Sequence, residues 1–328
     1  MKALSADQIR HLFRSIRRAP SRESRYAPHK PLLLLVALAR LQQGQPRQFS
    51  FKAVEPELKQ LLTEFGPSNA PNTRHLPFWH LHTDEQGKLW ELRLPADLRQ
   101  HPRGKAPSLR AIRRDDISAG FSTEVEQALR AHPGLVAEIA RGLLQDSFPE
   151  TLHEDIAQAV GLDLTESAHA ARDGEEAFAY SQRRQRNKAF RDRVLRAYEY
   201  RCCVCGFDLR LGHMPAGLEA AHIQWHTVGG PDIEPNGLSL CALHHKLFDL
   251  GAFTLEPSSL RIVFSEHAIS GGRGMTGELR HHGQHLLQPL RDQAIPGTNF
   301  LAWHWGNVFK REARQLVEPK IGFDTRSD

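Results

Sequence analysis

The segment between residues 202 and 249 is rich in cysteine and histidine side chains that could hold a metal ion. Cys202 and Cys205 form a C-x-x-C pair, and Cys241 and His244 form a C-x-x-H pair. Three thiolates and one imidazole are the ligand set of a closed, tetrahedral structural zinc site. We therefore predict a structural Zn²⁺ whose four coordination positions are all filled by protein.

The same stretch holds three polar residues that a zinc site would not use, namely His222, Asn236 and His245. His245 directly follows His244, and neighbouring residues on a helix point about 100° apart, so two adjacent histidines can serve two different sites. A zinc module without catalysis would explain the four ligands but not these three residues. The pattern therefore favours a second, catalytic site beside the zinc.

This arrangement resembles the HNH nucleases over about residues 186 to 255, in the segments Ala221-His222-Ile223, Asn236-Gly237-Leu238 and 244–249. The resemblance implies a ββα-metal fold on a zinc-stabilised frame. It assigns His222 as the general base, and the ordinary pKa range of histidine suits proton abstraction near neutral pH. It implies that Asn236 fixes the loop and orients His222, and that His245 binds a catalytic Mg²⁺ or Mn²⁺.

One position departs from that family. Many HNH nucleases carry an acidic residue or a second histidine directly before the general base as a metal ligand, but this chain has Ala221 there. Glu219, two residues back on the same strand face, is our candidate for the second metal ligand. His226 and Asp249 are alternatives, with Asp249 favoured as a structural acceptor at the helix end.

The composition is that of an ordinary soluble protein, with 328 residues, 40% hydrophobic and 25% charged. Of only 4 cysteines, Cys203 alone is left without a zinc role and is expected to be buried. This is no disulfide framework, so a reducing, cytoplasmic setting fits. The N-terminus lacks an apolar signal core, and the longest apolar run, residues 31–39, is too short to span a bilayer. We therefore expect no membrane partner.

The net charge of +5 hides alternating blocks. Residues 1–120 hold 21 Lys and Arg against 11 Asp and Glu, whereas residues 121–180 hold 3 against 12. Residues 181–210 are again basic, with 9 against 3. Two basic blocks around an acidic one predict two nucleic-acid contacts joined by a non-binding connector, although solvated charge on helix faces would give the same pattern.

The N-terminal part is predicted to be mostly helical with one β-hairpin. A capping box at Ser5–Gln8 opens the first helix, and further helices are expected at residues 32–41, 56–65, 108–114 and 123–130. A proline-rich loop, residues 66–77, runs into an expected strand at residues 78–81. That strand is expected to pair with residues 89–92 through a turn at Gly87-Lys88.

Three motifs of the N-terminal part occur together: His29-Lys30-Pro31 before a leucine run, Pro77-Phe78-Trp79-His80-Leu81, and Leu89-Trp90-Glu91-Leu92. With them, about residues 5–150 resemble the sulfur-binding domain of phosphorothioated-DNA-dependent restriction endonucleases. Sulfur in place of a phosphate oxygen is larger and a poor hydrogen-bond acceptor, so its recognition requires an apolar dent beside cations. Proline lacks an N–H and presets a loop, which suits that dent. The candidates for the sulfur pocket are Tyr26, Pro28, Pro71 and Pro77, and those for the DNA contacts are Arg25, His29, Lys30, Arg74 and His75.

The predicted fold class is α+β, with a DNA-reading domain at residues 1–150, an acidic connector at 151–180 and an HNH nuclease domain at 181–328. A basic helix opens the third segment, and its Arg184 and Lys188 are expected to lie on the DNA backbone. A strand pair is expected near residues 253–264, and a C-terminal helix with an apolar stripe is expected to pack on the nuclease core. His304 on that helix is expected to be a packed or surface histidine and not a ligand.

Taken together, the sequence predicts a modification-dependent restriction endonuclease that binds phosphorothioated double-stranded DNA and cleaves it with a divalent metal. Simultaneous cleavage of both strands needs a pair of active sites, which favours a homodimer. A nuclease that reads a modified base or a DNA sequence is the main alternative. A non-cleaving zinc DNA-binding protein is the second alternative.

Overall fold

A computed structural model describes residues 4–16, 27–99, 101, 105–114, 117–164, 188–269 and 277–316 of the chain. Of the sequence predictions, Arg25, Tyr26 and Arg184 lie outside the described residues. None of the helices within these ranges combines the length and the apolar character needed to cross a membrane.

The N-terminal half is built from eight helices and three short strands in its described parts. The helices are α1 (Ala6–Arg14), α2 (His29–Gln42), α3 (Phe51–Phe65), α4 (Leu76–His80), α5 (Leu109–Ile112), α6 (Thr123–Ala131), α7 (Pro133–Ser147) and α8 (His153–Val160). The strands are β1 (Gln48–Ser50), β2 (Trp90–Arg93) and β3 (Ser118–Phe121). Short 3₁₀ turns span Ala70–Thr73, Leu81–Gly87, Ala96–Leu98 and Glu150–Leu152.

Helix α2 is the centre of this half. All its residues from Leu32 to Ala39 are buried, so the helix is apolar on every face and is enclosed by its neighbours. Helix α1 begins after the predicted capping box at Ser5, buries Ile9, Leu12 and Phe13, and packs on α7 and α6. The leucine run that follows His29-Lys30-Pro31 therefore serves as the core of the domain.

The predicted hairpin is wrong. Residues 78–81 do not form a strand: Phe78, Trp79 and His80 belong to helix α4, whose first turn contains Pro77. Strand β2 instead pairs antiparallel with β3, and β1 pairs with the other edge of β3, giving the order β1-β3-β2. Phe78 and Trp90 are nevertheless both buried, and the indole N–H of Trp90 donates to the carbonyl of Phe78 at 3.2 Å.

The N-terminal core extends beyond the predicted boundary at residue 150. Ile156 and Val160 of α8, together with Leu162, lie in the same hydrophobic cluster as α2. Residues 151–162 are therefore part of this core and not of a surface connector. The rest of the predicted connector, residues 165–180, lies outside the described residues.

The C-terminal half contains the predicted ββα unit. Its helices are α9 at residues 188–197, α10 (Ala242–Asp249) and α11 (Thr298–Asn307). Its strands form three pairs: β4 (Arg210–Leu211) with β5 (Met214–Pro215), β6 (Leu218–His222) with β7 (Gly237–Cys241), and β8 (Phe253–Leu255) with β9 (Ile262–Phe264). Helix α11 packs on β8 as predicted. Buried His304 stacks on Phe248 with ring centroids 3.8 Å apart.

The two halves are in direct contact. Trp225, Trp303 and Val308 of the C-terminal half lie in the hydrophobic cluster of the N-terminal half. The ammonium of Lys310 donates to the carbonyl of Gly66 at 2.6 Å, and the hydroxyl of Ser68 donates to the carbonyl of Phe309 at 3.2 Å. The proline-rich loop that begins at Gly66 thus starts at the interface with the C-terminal half.

Candidate functional site

The antiparallel pair β6–β7 and the helix α10 hold most of the predicted site residues. His222 ends β6 and lies opposite Gly237, while Cys241 ends β7 and is the residue directly before α10. Gly237 must lack a side chain, since a Cβ there would meet Val194 of α9 at 2.4 Å and Phe190 at 3.0 Å. Helix α9 is therefore pressed directly against the strands.

The four predicted zinc ligands converge. The ligand atoms of Cys202, Cys205, Cys241 and His244 all lie within 4.8 Å of one another. The sulfurs of Cys205 and Cys241 are 4.0 Å apart, and Nδ1 of His244 lies 3.6 Å from the sulfur of Cys202. Tetrahedral zinc with bonds of about 2.3 Å would separate its sulfur ligands by roughly 3.8 Å, so the cluster fits such an ion. Cys203, the remaining cysteine, is buried as predicted.

Nδ1 of His244 points to the cysteines, and its Nε2 lies 2.8 Å from a carboxylate oxygen of Glu278. A carboxylate at the outer nitrogen of a metal-bound histidine fixes the tautomer of the ring. Glu278 comes from a segment 34 residues further along the chain, so the local C-x-x-H spacing could not have revealed it.

His222 is held from two sides. Its ring stacks on Phe190 of α9 with centroids 4.0 Å apart, and its Nε2 lies 2.9 Å from Oδ1 of Asp232. A carboxylate only accepts hydrogen bonds, so Nε2 carries the proton and Nδ1 is the basic nitrogen. Burial lowers the pKa of His222 below its ordinary value, while Asp232 acts in the opposite direction. The ring is therefore suited to accept a proton at neutral pH.

Asn236 is fully buried and ties together the loop between β6 and β7. Its Oδ1 accepts from the backbone N–H of Gln224 at 2.8 Å, and its Nδ2 donates to the carbonyls of Gln224 and Pro231, each at 3.0 Å. Both ends of the amide are thus bonded to main chain. The loop fixed in this way carries Asp232, so Asn236 reaches His222 through the loop and not through a hydrogen bond of its own.

His245 lies between two carboxylates. Its Nδ1 is 2.6 Å from Oε2 of Glu219, and its Nε2 is 3.2 Å from Oδ2 of Asp249, one helical turn further along α10. Burial alone would lower the pKa of His245, but Asp249 and Glu219 outweigh burial and raise it to about 10. A divalent metal at Nδ1 would replace the proton there and take an oxygen of Glu219 as its second ligand, so these donors fit such an ion.

The predicted DNA-reading residues at the start of α2 lie beside the proline-rich loop. Nε2 of His29 is 3.1 Å from the carbonyl of Ala70 and 2.9 Å from the hydroxyl of Thr73. Lys30 forms an ion pair with buried Asp84 at 2.6 Å. Burial lowers the pKa of His29. The structure thus brings the helix start and the loop together, with both side chains engaged inside the domain.

Arg74 is also engaged internally. Its guanidinium pairs with Glu55 at 2.7 Å and donates to the carbonyl of Pro71 at 2.6 Å. The neighbouring His75 is half-buried, and burial lowers its pKa. Of the predicted pocket prolines, Pro28 and Pro77 are buried and Pro71 is half-buried, while Lys188 on α9 is exposed.

Sequence reasoning missed two partners of the catalytic candidates. Asp232 is one of two acidic residues between His222 and Asn236, and that position in the loop was the available signal. Thr151, whose hydroxyl donates to Asp249, lies 98 residues away from it, so no local pattern could reveal the contact.

Two family models match the chain. Residues 6–165 match the ScoMcrA-like DNA sulfur-binding domain, and residues 202–256 match the HNH endonuclease. The first match begins in α1 and ends just after α8 and Leu162, as the N-terminal core does. The second covers the zinc cluster, the β6–β7 pair and α10.

Among solved structures, the sulfur-binding domain of ScoMcrA complexed with phosphorothioated DNA is 25% identical over 47% of this chain and 94% of that one, with a TM-score of 0.40. The type IV phosphorothioation-dependent restriction endonuclease ScoMcrA is 22% identical over 55% of this chain and 35% of that one, with a TM-score of 0.39. The sulfur-binding domain of SprMcrA complexed with phosphorothioated DNA is 16% identical over 50% and 97%, with a TM-score of 0.39. No curated protein matches the chain significantly.

Proposed function

We propose that this chain, a DNA-cleaving hydrolase in which a ScoMcrA-like DNA sulfur-binding domain is joined to an HNH endonuclease domain, cleaves DNA in response to phosphorothioate links in the backbone. The observation that carries the proposal is the presence of both domains in one chain, with the histidine, carboxylate and cysteine groups of the second converging in two adjacent sites.

In the proposed reaction, His222 is the general base. Its Nδ1 accepts a proton from the attacking water, while Asp232 holds the ring and stabilises the imidazolium that forms. Phe190 keeps the ring in its plane by stacking. Asn236 is assigned the role of fixing the loop that carries Asp232.

His245 and Glu219 are proposed to hold a catalytic Mg²⁺ or Mn²⁺. When bound, such an ion would stabilise the negative charge that develops on the scissile phosphate and its leaving oxygen. Cys202, Cys205, Cys241 and His244 are assigned to a structural Zn²⁺, because this ligand set leaves no open position for a substrate.

For the reading of sulfur, we propose the surface where the start of α2 meets the turn at Ala70–Thr73. Half-buried Pro71 offers apolar surface without an N–H donor, whereas Pro28 and Pro77 are buried and are assigned to shaping the loop from inside. His29, Lys30, Arg74 and His75 belong to the same two segments, and His29 and Arg74 contact the turn directly. Since Lys30 and Arg74 already pair with Asp84 and Glu55, we infer that they fix the shape of the loop more than they grip a phosphate directly. Arg25, Arg184 and Lys188 remain candidates for DNA contacts, and Tyr26 remains a candidate for the sulfur pocket.

The test compares three matched duplexes that carry one phosphorothioate in the Rp configuration, one in the Sp configuration, or none, in the presence of Mn²⁺. Rp and Sp links have the same atoms and charge, so they separate recognition of the sulfur position from general binding. We expect cleavage of one diastereomer only. Equal cleavage of all three duplexes would keep the nuclease and overturn sulfur recognition, and no cleavage of any would overturn the nuclease assignment.

A further inference from the structure

The buried carboxylate of Asp249 is bonded by residues from both halves of the molecule. Its Oδ1 accepts from the indole N–H of Trp225 at 3.0 Å, and its Oδ2 accepts from the hydroxyl of Thr151. The same Oδ2 lies 3.2 Å from Nε2 of His245. Trp225 and His245 belong to the nuclease half, whereas Thr151 lies within the sulfur-binding match at residues 6–165.

These bonds fix one orientation of Asp249. Its side chain is only 1% exposed, so water does not replace a lost partner cheaply. With Trp225 and Thr151 donating to it, the carboxylate is held as an acceptor for the Nε2 proton of His245. That contact leaves Nδ1 facing Glu219, which is the pair that we assign to the catalytic metal. Orientation by an outer carboxylate is a general determinant of metal affinity at a histidine.

Lys246, which follows His245 in α10, adds a second contact between this helix and the N-terminal half. The ammonium of Lys246 donates to the carbonyl of Thr151 and pairs with the carboxylate of Asp155. Lys246 and Asp249, the residue that ends α10, therefore both engage one short segment of the N-terminal half, residues 151–155. The segment carries Thr151, which contacts Asp249, and it is also anchored to α10 through Lys246.

We propose that Thr151, a residue of the sulfur-binding half, is a positioning residue of the nuclease site. It acts through Asp249 on His245, so the metal site is complete only when the two halves are docked. This inference rests on the proposed function, because it takes His245 as the metal ligand. It adds a physical route by which the state of the reading domain reaches the cleavage site.

The experiment uses full-length, zinc-loaded protein and two substitutions of Thr151. Thr151→Val keeps the shape and removes the hydroxyl, whereas Thr151→Ser keeps the hydroxyl and removes the methyl group. Thr63→Val is the matched control, because the exposed hydroxyl of Thr63 bonds only to the backbone of its own helix. Three quantities are measured: the affinity for Mn²⁺ by electron paramagnetic resonance, the single-turnover cleavage rate, and the affinity for the phosphorothioated duplex without Mn²⁺.

For Thr151→Val we expect Mn²⁺ affinity and cleavage rate each to fall roughly 3- to 10-fold, as the loss of one hydrogen bond to Asp249 would give. This is less than the roughly 10- to 100-fold typical when the residue bonded to the metal ligand is itself removed. DNA affinity should stay within about twofold of the parent, Thr151→Ser should restore both losses, and Thr63→Val should change nothing. Parental Mn²⁺ affinity in Thr151→Val would overturn the proposal. So would equal losses in the Val and Ser variants, since the methyl group and not the hydroxyl would then matter. If the parent protein cleaved no duplex, the proposed function would fail, while the Mn²⁺ affinities would still decide the role of Thr151.

Discussion

At the scale of single residues, the pairing of His222 with Asp232 determines how the proposed base responds to pH. Burial depresses the pKa of His222, and the carboxylate of Asp232 holds it up. A base with a depressed pKa is neutral over more of the pH range, so the acid limb of the pH–rate profile should lie below the ordinary histidine pKa of about 6.5. The plateau should be reached by neutral pH.

Asp232→Asn should change this profile in two ways. Removing the negative charge lowers the pKa of His222 further, so the acid limb of kcat/KM should shift to lower pH. The amide can also donate to Nε2 and thereby move the ring proton to Nδ1, so the plateau should fall roughly tenfold or more. The measurement is kcat/KM on the cleaved duplex between pH 5 and about 8, a range that brackets the ordinary histidine pKa.

Glu234→Gln is the control for that experiment. Glu234 lies in the same loop, but its carboxylate pairs with Arg193 at 3.1 Å instead of with His222. It should leave the acid limb in place. An Asp232→Asn profile that is unshifted, or shifted to higher pH, would contradict the pairing of His222 with Asp232 in the working enzyme.

The residue scale also shows what a sequence can reveal. The zinc ligands could be predicted because the two members of each pair lie three residues apart, Cys202 with Cys205 and Cys241 with His244, which is the spacing of known zinc-binding pairs. The roles of Asp232 and Thr151 could not be predicted in this way. The contact of Asp232 with His222 depends on how a loop folds back, and the contact of Thr151 with Asp249 depends on how the two halves dock. Spacing encodes contacts within an element, and tertiary packing adds the rest.

At the scale of elements, the cysteine cluster joins two parts of the nuclease half that lie far apart in the sequence. Cys202 and Cys205 lie in the turn that follows α9, Cys241 ends β7, and His244 lies in the first turn of α10. Helix α10 has only eight residues, so it is too short to be stable alone and depends on this anchor. A metal at the cluster would therefore fix α10, and with it His245, against the strands.

Two neighbouring cysteines, Cys203 and Cys205, provide a direct test of whether a metal at the cluster stabilises this half. Cys205→Ser should abolish stoichiometric zinc binding, lower the melting temperature of the nuclease half and remove cleavage, because metal binding at such a site contributes to folding. Zinc content by mass spectrometry of the metal and thermal unfolding by calorimetry are the measurements. Cys203→Ser, two residues away, should keep one zinc per chain, since Cys203 is buried outside the cluster. Zinc retained in Cys205→Ser at the parental stoichiometry would refute the assignment.

Elements also mark where the fold could not be predicted. Residues 78–81 are aromatic and apolar, which is typical of a strand, yet Pro77 lies in the first turn of a helix there and Phe78 packs against Trp90. Strand β2 finds its partner in β3, almost thirty residues further along the chain. A short apolar run fits a buried helix as well as a strand, and only the packing partners decide between them.

At the scale of the whole molecule, much of the charge that forms blocks along the sequence is paired in the fold. Arg10 pairs with Glu138 at 2.6 Å, and Arg47 pairs with Glu126 at 3.2 Å, so acidic helices α6 and α7 neutralise basic residues of the first block. The acidic block is thus, in its described part, a component of the N-terminal half and not a separate connector. Among the described residues, fewer cations are left for DNA than the sequence blocks suggest.

This division between charge and shape predicts how binding should respond to salt. Contacts with phosphates release counterions, so their contribution weakens as salt rises, whereas an apolar contact with sulfur releases none. Between about 50 and 200 mM salt, the affinities for phosphorothioated and plain duplexes should both fall steeply, with parallel slopes of log Kd against log salt. Their ratio should stay constant within about twofold, measured by fluorescence anisotropy with a His222→Ala variant that cannot cleave. A ratio that collapses towards one as salt rises would mean that sulfur is read through additional ion pairs, and the proline-lined surface would lose its proposed role.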